Sequence, residues 1–188
     1  MLQKYNIAFI PSRNPEQFIQ YAEELSQAAP SDKYLLGVGS MPHVSLCHFE
    51  IESNKIEDIW GMVSALELPE LHLTFEEKRS KSYAGHPKWG GVCWVSLIPD
   101  YMDRLNEIHL EIAKIIKTPL NAAFSEYDPH MTLFNSHAEK SCALLNYAPR
   151  LELPLEEEFG VALGLIDDVG QLTEILFCNN EPSSTCKL

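Results

Sequence analysis

The chain has 188 residues, of which 45% are hydrophobic, and a formal net charge of −13. This length and composition suit one compact domain with a sizeable core. The acidic balance excludes a broad basic surface that grips long nucleic acid through its phosphates, so we expect no DNA partner. No apolar run approaches the ~18 residues of a membrane span, and none before Pro11 is long enough for a signal-peptide core. We therefore expect a cytoplasmic protein with no membrane partner.

The five cysteines are dispersed and form no CxxC pair. Such a set is typical of reduced thiols in a cytoplasmic protein. No group of histidines and cysteines has the spacing of a zinc site. The sequence therefore predicts no disulfide framework, no metal and no other cofactor.

The first part of the chain alternates between strand and helix patterns. Apolar runs and period-two alternation indicate strands, whereas apolar residues at three- and four-residue spacing indicate helices. Ser53 is the expected N-cap of the second helix. The predicted order is a strand over 5–10, a helix over 18–25, a strand over 43–51, a helix over 53–66 and a strand over 71–83.

The second part repeats this order. Asp100 is the expected cap of its long helix, and the turn-rich residues 167–170 predict a closing hairpin. We expect a strand over 92–98, a helix over 101–117, a strand over 130–134, a shorter helix over 137–148, and paired strands over 159–166 and 172–177. The repeated order predicts an α+β fold of two duplicated lobes, roughly 1–85 and 90–180 with a tail at 181–188, whose mainly antiparallel sheets line a central cleft.

Two short motifs occupy the same position in the two halves: "PHVSL" at 42–46 and "PHMTL" at 129–133. In a strand, residues two apart share a face. His43 therefore shares a face with Ser45, and His130 shares one with Thr132. If the two strands meet about a pseudo-twofold axis, two imidazoles and two hydroxyls surround one site.

This set of groups suits phosphodiester chemistry. Histidine has a pKa near ~6.5, so one ring can accept a proton while the other donates one. Hydroxyl groups can donate hydrogen bonds to phosphate oxygens. An acid and a base on opposite sides of phosphorus permit in-line attack without a metal.

The paired motifs and the order of elements resemble the 2H phosphoesterase superfamily, over nearly the whole chain. The resemblance implies a bilobal α+β fold and metal-independent action on 2',3'-cyclic phosphates or 2'-5' linkages. It implies that His43 and His130 are the acid and base, in either order, and that Ser45 and Thr132 bind phosphate. The leading interpretation is a cyclic phosphodiesterase-like hydrolase acting on a nucleotide or RNA end. A reversible 2'-5' RNA ligase and a non-catalytic binder of nucleotides or RNA ends are the alternatives, and we expect a monomer.

Other candidates lie near these motifs or between the halves. His48 is expected on the strand face opposite His43, in the core or at the surface. The basic stretch 78–91 is either a solvated crossover or a border of the cleft. The remaining assignments are Tyr83, Lys88, Trp89 and Tyr127 as possible substrate contacts, Phe49 and Phe134 as core residues, and His72, His109 and His137 as structural histidines.

Overall fold

The structure, a computed structural model, describes residues 1–29, 31–82, 91–117, 119–120, 127–137, 147 and 149–179. Within this part of the chain there are seven strands, three α-helices and one short 3-10 helix, Ser53–Lys55. The strands are β1 (Leu2–Pro11), β2 (Val44–Glu52), β3 (Leu71–Ser82), β4 (Val92–Pro99), β5 (Met131–His137), β6 (Leu155–Ile166) and β7 (Leu172–Cys178). The helices are α1 (Glu16–Ala28), α2 (Ile56–Ser64) and α3 (Met102–Ile115).

All seven strands join one antiparallel sheet with the order β2-β1-β6-β3-β4-β5, and β7 also pairs with β6. Strand β6 links the two ends of the sheet because its first part pairs with β3 and its second part lies between β1 and β7. The predicted α+β class, the antiparallel pairing and the closing hairpin are confirmed. The predicted duplication into two lobes stays a prediction.

The two strands that carry the histidine motifs lie at opposite ends of this sheet, yet β2 and β5 contact each other. Helix α3 packs against β2, and α1 packs against β5. Each motif strand is therefore covered by a helix from the other part of the chain. This crossed packing of helices on strands accompanies the contact between the two motif strands, which are distant in sequence.

Aromatic side chains fill the core beneath β3 and β6. Phe18 of α1 meets Phe75 and Phe159 edge-on, with ring centroids 5.4 and 5.9 Å apart, and all three are fully buried. Burial of such a ring stabilises the fold by about 1.5–3 kcal/mol. Phe49 and Phe134 are also buried, as predicted.

The two predicted helix caps are wrong. Neither the 3-10 helix nor α2 has a side-chain cap, and Ser53 lies inside the 3-10 helix. Asp100 instead links α3 to β3, because its carboxylate accepts from the Thr74 amide at 2.8 Å and its own amide donates to the Thr74 carbonyl. Tyr101, at a left-handed φ of 56°, precedes the first residue of α3.

The predicted helix over 137–148 falls largely outside the described residues, although His137 itself ends β5. Among the helices that the structure describes, none is long and apolar enough to cross a membrane.

Candidate active site

Each motif strand contains a register shift at the same point. In β2, Ser45 lies opposite Ala8 and Cys47 lies opposite Ile7, which leaves Leu46 as an extra residue. In β5, Thr132 lies opposite Ser96 and Phe134 opposite Val95, which leaves Leu133 as an extra residue. An extra residue of this kind inverts the alternation of side chains beyond it. Both motifs thus end in the same local departure from a regular strand, an extra residue at Leu46 and at Leu133.

The two motif histidines immediately precede their strands and are held in the same way. His43 Nδ1 is 2.8 Å from the Met41 carbonyl, and His130 Nδ1 is 2.7 Å from the Asp128 carbonyl. A carbonyl only accepts, so each Nδ1 carries a proton. When either ring is neutral, its Nε2 therefore holds the lone pair that can accept a proton.

The Ser45 hydroxyl lies within a partly buried group of polar side chains. Asn6 of β1 donates from Nδ2 to Ser45 Oγ at 2.9 Å, and His48 Nε2 is 3.1 Å from the same oxygen. Asn6 is fully buried. Two side chains therefore fix the position of this hydroxyl.

The expectation that His48 lies on the face opposite His43 is wrong. It assumed a regular strand, but the extra residue Leu46 inverts the alternation and brings His48 to Ser45. The charges of His43 and His130 both affect His48, so the three rings lie in one electrostatic group. Nothing in the sequence marked this position of His48, because Leu46 becomes an extra residue only through the pairing of β2 with β1.

Burial makes the charged form of these histidines unfavourable. The pKa of His43 is lowered to about 4, with burial as the largest cause. The Met41 carbonyl and Asp167 oppose this shift, whereas a charge on His130 adds to it. Burial likewise lowers the pKa of His48 to about 4, with the charges of His43 and His130 acting in the same direction. Both rings are therefore neutral at neutral pH in the ligand-free protein.

His130 has a different electrostatic setting. Burial lowers the pKa of His130 as well. The Asp128 carbonyl and carboxylate raise it, but the pKa stays below its usual value, and Arg79 and Lys81 add to the decrease. Asp128 receives two bonds of 2.9 Å from Arg79 and one of 3.0 Å from Lys81. Although burial raises the pKa of Asp128, these cations lower it overall, so Asp128 stays ionised beside His130.

Each motif strand also receives a tyrosine hydroxyl. Tyr127 OH donates to the Ser45 carbonyl at 2.7 Å, and Tyr34 OH donates to the Thr132 carbonyl at 3.5 Å. The Tyr127 ring stacks on His109 with centroids 4.2 Å apart. One face of Tyr127, a predicted substrate contact, is therefore occupied by His109. Thr132, the predicted phosphate-binding residue, is buried within β5.

The other predicted site residues divide into two sets. Tyr83, Lys88 and Trp89 lie outside the described residues. His109, which was predicted to be a structural histidine, joins α3 to β2, because its Nδ1 is 2.6 Å from the Leu46 carbonyl. His72 is exposed beside Glu156 and Glu158.

In the described part of the chain, no group of three or more His, Cys, Asp or Glu side chains is arranged to hold a metal ion. The described site contains imidazoles, hydroxyls, the Asn6 amide, the Asp128 carboxylate and two cationic side chains, and Asp167 acts electrostatically on His43.

The fold is that of the LigT-like α+β proteins. The crystal structure of E. coli LigT complexed with 3'-AMP matches with a TM-score of 0.62 at 14% identity, covering 96% of this chain and 97% of that chain. The apo form of LigT matches with a TM-score of 0.57 at 15% identity, covering 96% and 99%. LigT complexed with ATP matches with a TM-score of 0.55 at 16% identity, covering 95% and 97%.

LigT is a 2'-5' RNA ligase of the 2H phosphoesterase superfamily. The resemblance drawn from the two motifs therefore agrees with the fold. No protein-family profile matches the sequence, and no curated protein matches it.

Proposed function

We propose that the protein is a 2H-type phosphoesterase that hydrolyses a 2',3'-cyclic phosphate or a 2'-5' phosphodiester of a nucleotide or RNA end. The observation that carries this proposal is the matched pair of histidines. His43 and His130 each bind a backbone carbonyl through Nδ1, are electrostatically coupled, and keep Nε2 as the proton-exchanging atom. Two such rings provide a base and an acid for one phosphorus atom.

The electrostatics favour one assignment of the two roles. Burial keeps His43 neutral, so its Nε2 is suited to accept a proton from the attacking water. Burial lowers the pKa of His130 overall, but the Asp128 carbonyl and carboxylate oppose this effect and favour the charged form, so we assign the donor role to this ring. In the proposed step, water forms a bond to phosphorus and loses a proton to His43. The bond from phosphorus to the leaving ribose oxygen breaks, and that oxygen takes a proton from His130.

The remaining groups would bind the anion. Ser45 and Thr132 have the hydroxyls that the motif assigns to the phosphate. Arg79 and Lys81, which both pair with Asp128, place two cationic side chains near His130, where they would attract a phosphate. The LigT structures with 3'-AMP and ATP support a nucleotide as the ligand class.

A reversible 2'-5' RNA ligase is the second candidate, since the similar structures are those of a ligase. The same two histidines would serve, with a ribose hydroxyl in place of water as the nucleophile. Incubating RNA ends that carry a 2',3'-cyclic phosphate with acceptors that have a free 5'-hydroxyl separates the two reactions. Joined product at equilibrium supports ligation, whereas release of a monophosphate end alone supports hydrolysis.

The central experiment uses purified protein, EDTA, and a panel of nucleoside 2',3'-cyclic phosphates and 2'-5' dinucleotides. We expect turnover without added metal, and a loss of about 10²–10⁴-fold in kcat in His43→Ala and in His130→Ala. His72→Ala is the matched control, because it removes an exposed histidine from the same sheet. Full activity of both motif variants, or strict dependence on added metal, would contradict the proposal.

A further inference from the structure

Ser45 Oγ has two polar side-chain neighbours, Asn6 and His48. A hydroxyl has one proton to donate and two lone pairs that accept. Asn6 Nδ2 already donates to one lone pair at 2.9 Å. If Ser45 is to bind a phosphate oxygen, its single proton must point to the substrate, because phosphate diesters only accept. The neighbour at 3.1 Å, His48 Nε2, must then be a donor to the second lone pair.

We propose that His48 is a positioning residue whose Nε2–H donates to Ser45 Oγ and so directs the Ser45 proton towards the substrate phosphate. The inference rests on the proposed function for the role of Ser45. It adds a third histidine that touches no substrate and acts only through the hydroxyl. With the opposite tautomer, His48 would accept the Ser45 proton and compete with the phosphate for it.

The surroundings of His48 hold the ring in this place. Leu46, the extra residue of β2, brings the ring to the face of Ser45. On the other side lies the turn between β6 and β7, where a Cβ on Gly170 would lie 3.0 Å from His48 Cε1. The lack of a side chain at Gly170 therefore leaves the space that the imidazole occupies. The ring is fixed by the strand on one side and by this turn on the other.

The tautomer is measurable in the native protein, with no substitution and no substrate. Long-range ¹H–¹⁵N correlation spectra of the imidazole nitrogens distinguish a protonated Nε2 from a protonated Nδ1 at neutral pH. We expect the Nε2–H tautomer for His48 and the Nδ1–H tautomer for His43 and His130, whose Nδ1 atoms bind carbonyls. The Nδ1–H tautomer at His48 would overturn the inference.

A double-mutant cycle tests whether His48 acts through Ser45. His48→Leu should lower kcat/KM for a nucleoside 2',3'-cyclic phosphate by about tenfold, and His48→Gln, which keeps a donor near the position of Nε2, should recover most of it. In a Ser45→Ala background, His48→Leu should have no further effect. An equal loss in both backgrounds would overturn the inference, and His72→Leu controls for the removal of a histidine elsewhere in the sheet.

Failure of the proposed function is distinguishable from failure of this inference. If the wild-type protein turns over no member of the panel, the proposed function fails. The tautomer of His48 still shows whether Nε2 donates to Ser45. The same double-mutant cycle can then be carried out with the affinity for 3'-AMP as the measured quantity. A coupling of His48 and Ser45 in binding, with no turnover, would support the positioning role in a non-catalytic site. No coupling in either readout, with binding intact, would refute it.

Discussion

His130 is under opposite influences from Asp128 and from the cations that Asp128 pairs with. Substituting Asp128→Asn removes the carboxylate that raises the pKa of His130 and keeps Arg79 and Lys81, which lower it. The pKa of His130 should therefore fall. Since a proton donor must be charged, the alkaline limb of kcat/KM should move to lower pH, and activity at neutral pH should fall by about tenfold.

The pKa of His130 can be followed directly by NMR titration of its ring protons. Asp168→Asn is the matched control, because Asp168 pairs with Lys4 at an exposed site. It should leave both the titration of His130 and the pH–rate profile unchanged. An unshifted His130 in Asp128→Asn would contradict the assignment of His130 as the donor.

His43 and His48 link the stability of the fold to pH. In the native protein burial lowers the pKa of both to about 4, whereas an unfolded histidine has a pKa of 6.5. Between these values the unfolded chain binds more protons than the native one. The free energy of unfolding should therefore be constant above about pH 6.5 and fall by up to about 1.4 kcal/mol per pH unit and histidine as the pH drops towards 4.

This dependence is measurable by urea unfolding at about pH 7, 6 and 5 in wild type and His48→Gln. The variant lacks one buried titrating ring, so its stability should fall less steeply with acid than that of wild type. His72→Gln, which removes an exposed histidine, should follow wild type. Parallel curves for His48→Gln and wild type would show that His48 is not a buried neutral ring.

At the scale of elements, the pairing of β6 with β7 supports the site from a distance. A Cβ on Gly164 would lie 2.0 Å from the Glu174 carbonyl oxygen of β7, so Gly164→Ala must displace that strand. β7 begins at Leu172, whose carbonyl accepts from the amide of Met41, and Met41 in turn holds His43. We expect a loss of about 1–3 kcal/mol in stability together with a fall in kcat.

Gly61→Ala provides the opposite case in the same chain. Gly61 lies within α2, and apart from its chain neighbours and the backbone of its own helix, no described atom lies within 4 Å of the position that its Cβ would take. The substitution should raise the free energy of unfolding by up to about 1 kcal/mol and leave kcat unchanged. A Gly164→Ala protein as stable as wild type would show that β7 can move without cost.

The two motif strands, β2 and β5, show which parts of the structure can be predicted from the sequence. Apolar residues predicted β2 and β5, since strands that are largely buried have this local signature. The register shifts have none, because Leu46 and Leu133 look like ordinary strand residues and their extra position arises only in pairing with β1 and β4. His48 was misplaced for this reason alone. Asp100 was misassigned because its partner, Thr74, is remote in sequence.

At the scale of the whole molecule, the net charge of −13 opposes the approach of an anionic substrate. The positive charges of Arg79 and Lys81 act locally, whereas the repulsion acts over the Debye length, which is about 10 Å at 0.1 M salt. Added salt should therefore weaken the long-range repulsion more than the local attraction. We expect kcat/KM for a cyclic nucleotide to stay level or rise about two- to threefold between about 20 and 200 mM KCl.

This prediction can be tested by comparing a mononucleotide substrate with a longer oligonucleotide substrate. An oligonucleotide with the same cyclic phosphate end carries more negative charge, so its kcat/KM should rise more steeply with salt than that of the mononucleotide. A protein that grips RNA through many phosphates behaves in the opposite way, because each released counterion makes binding weaker as salt increases. A steep linear fall of log kcat/KM with log salt for the oligonucleotide would therefore contradict a small-substrate site and indicate an extended basic surface on this acidic chain.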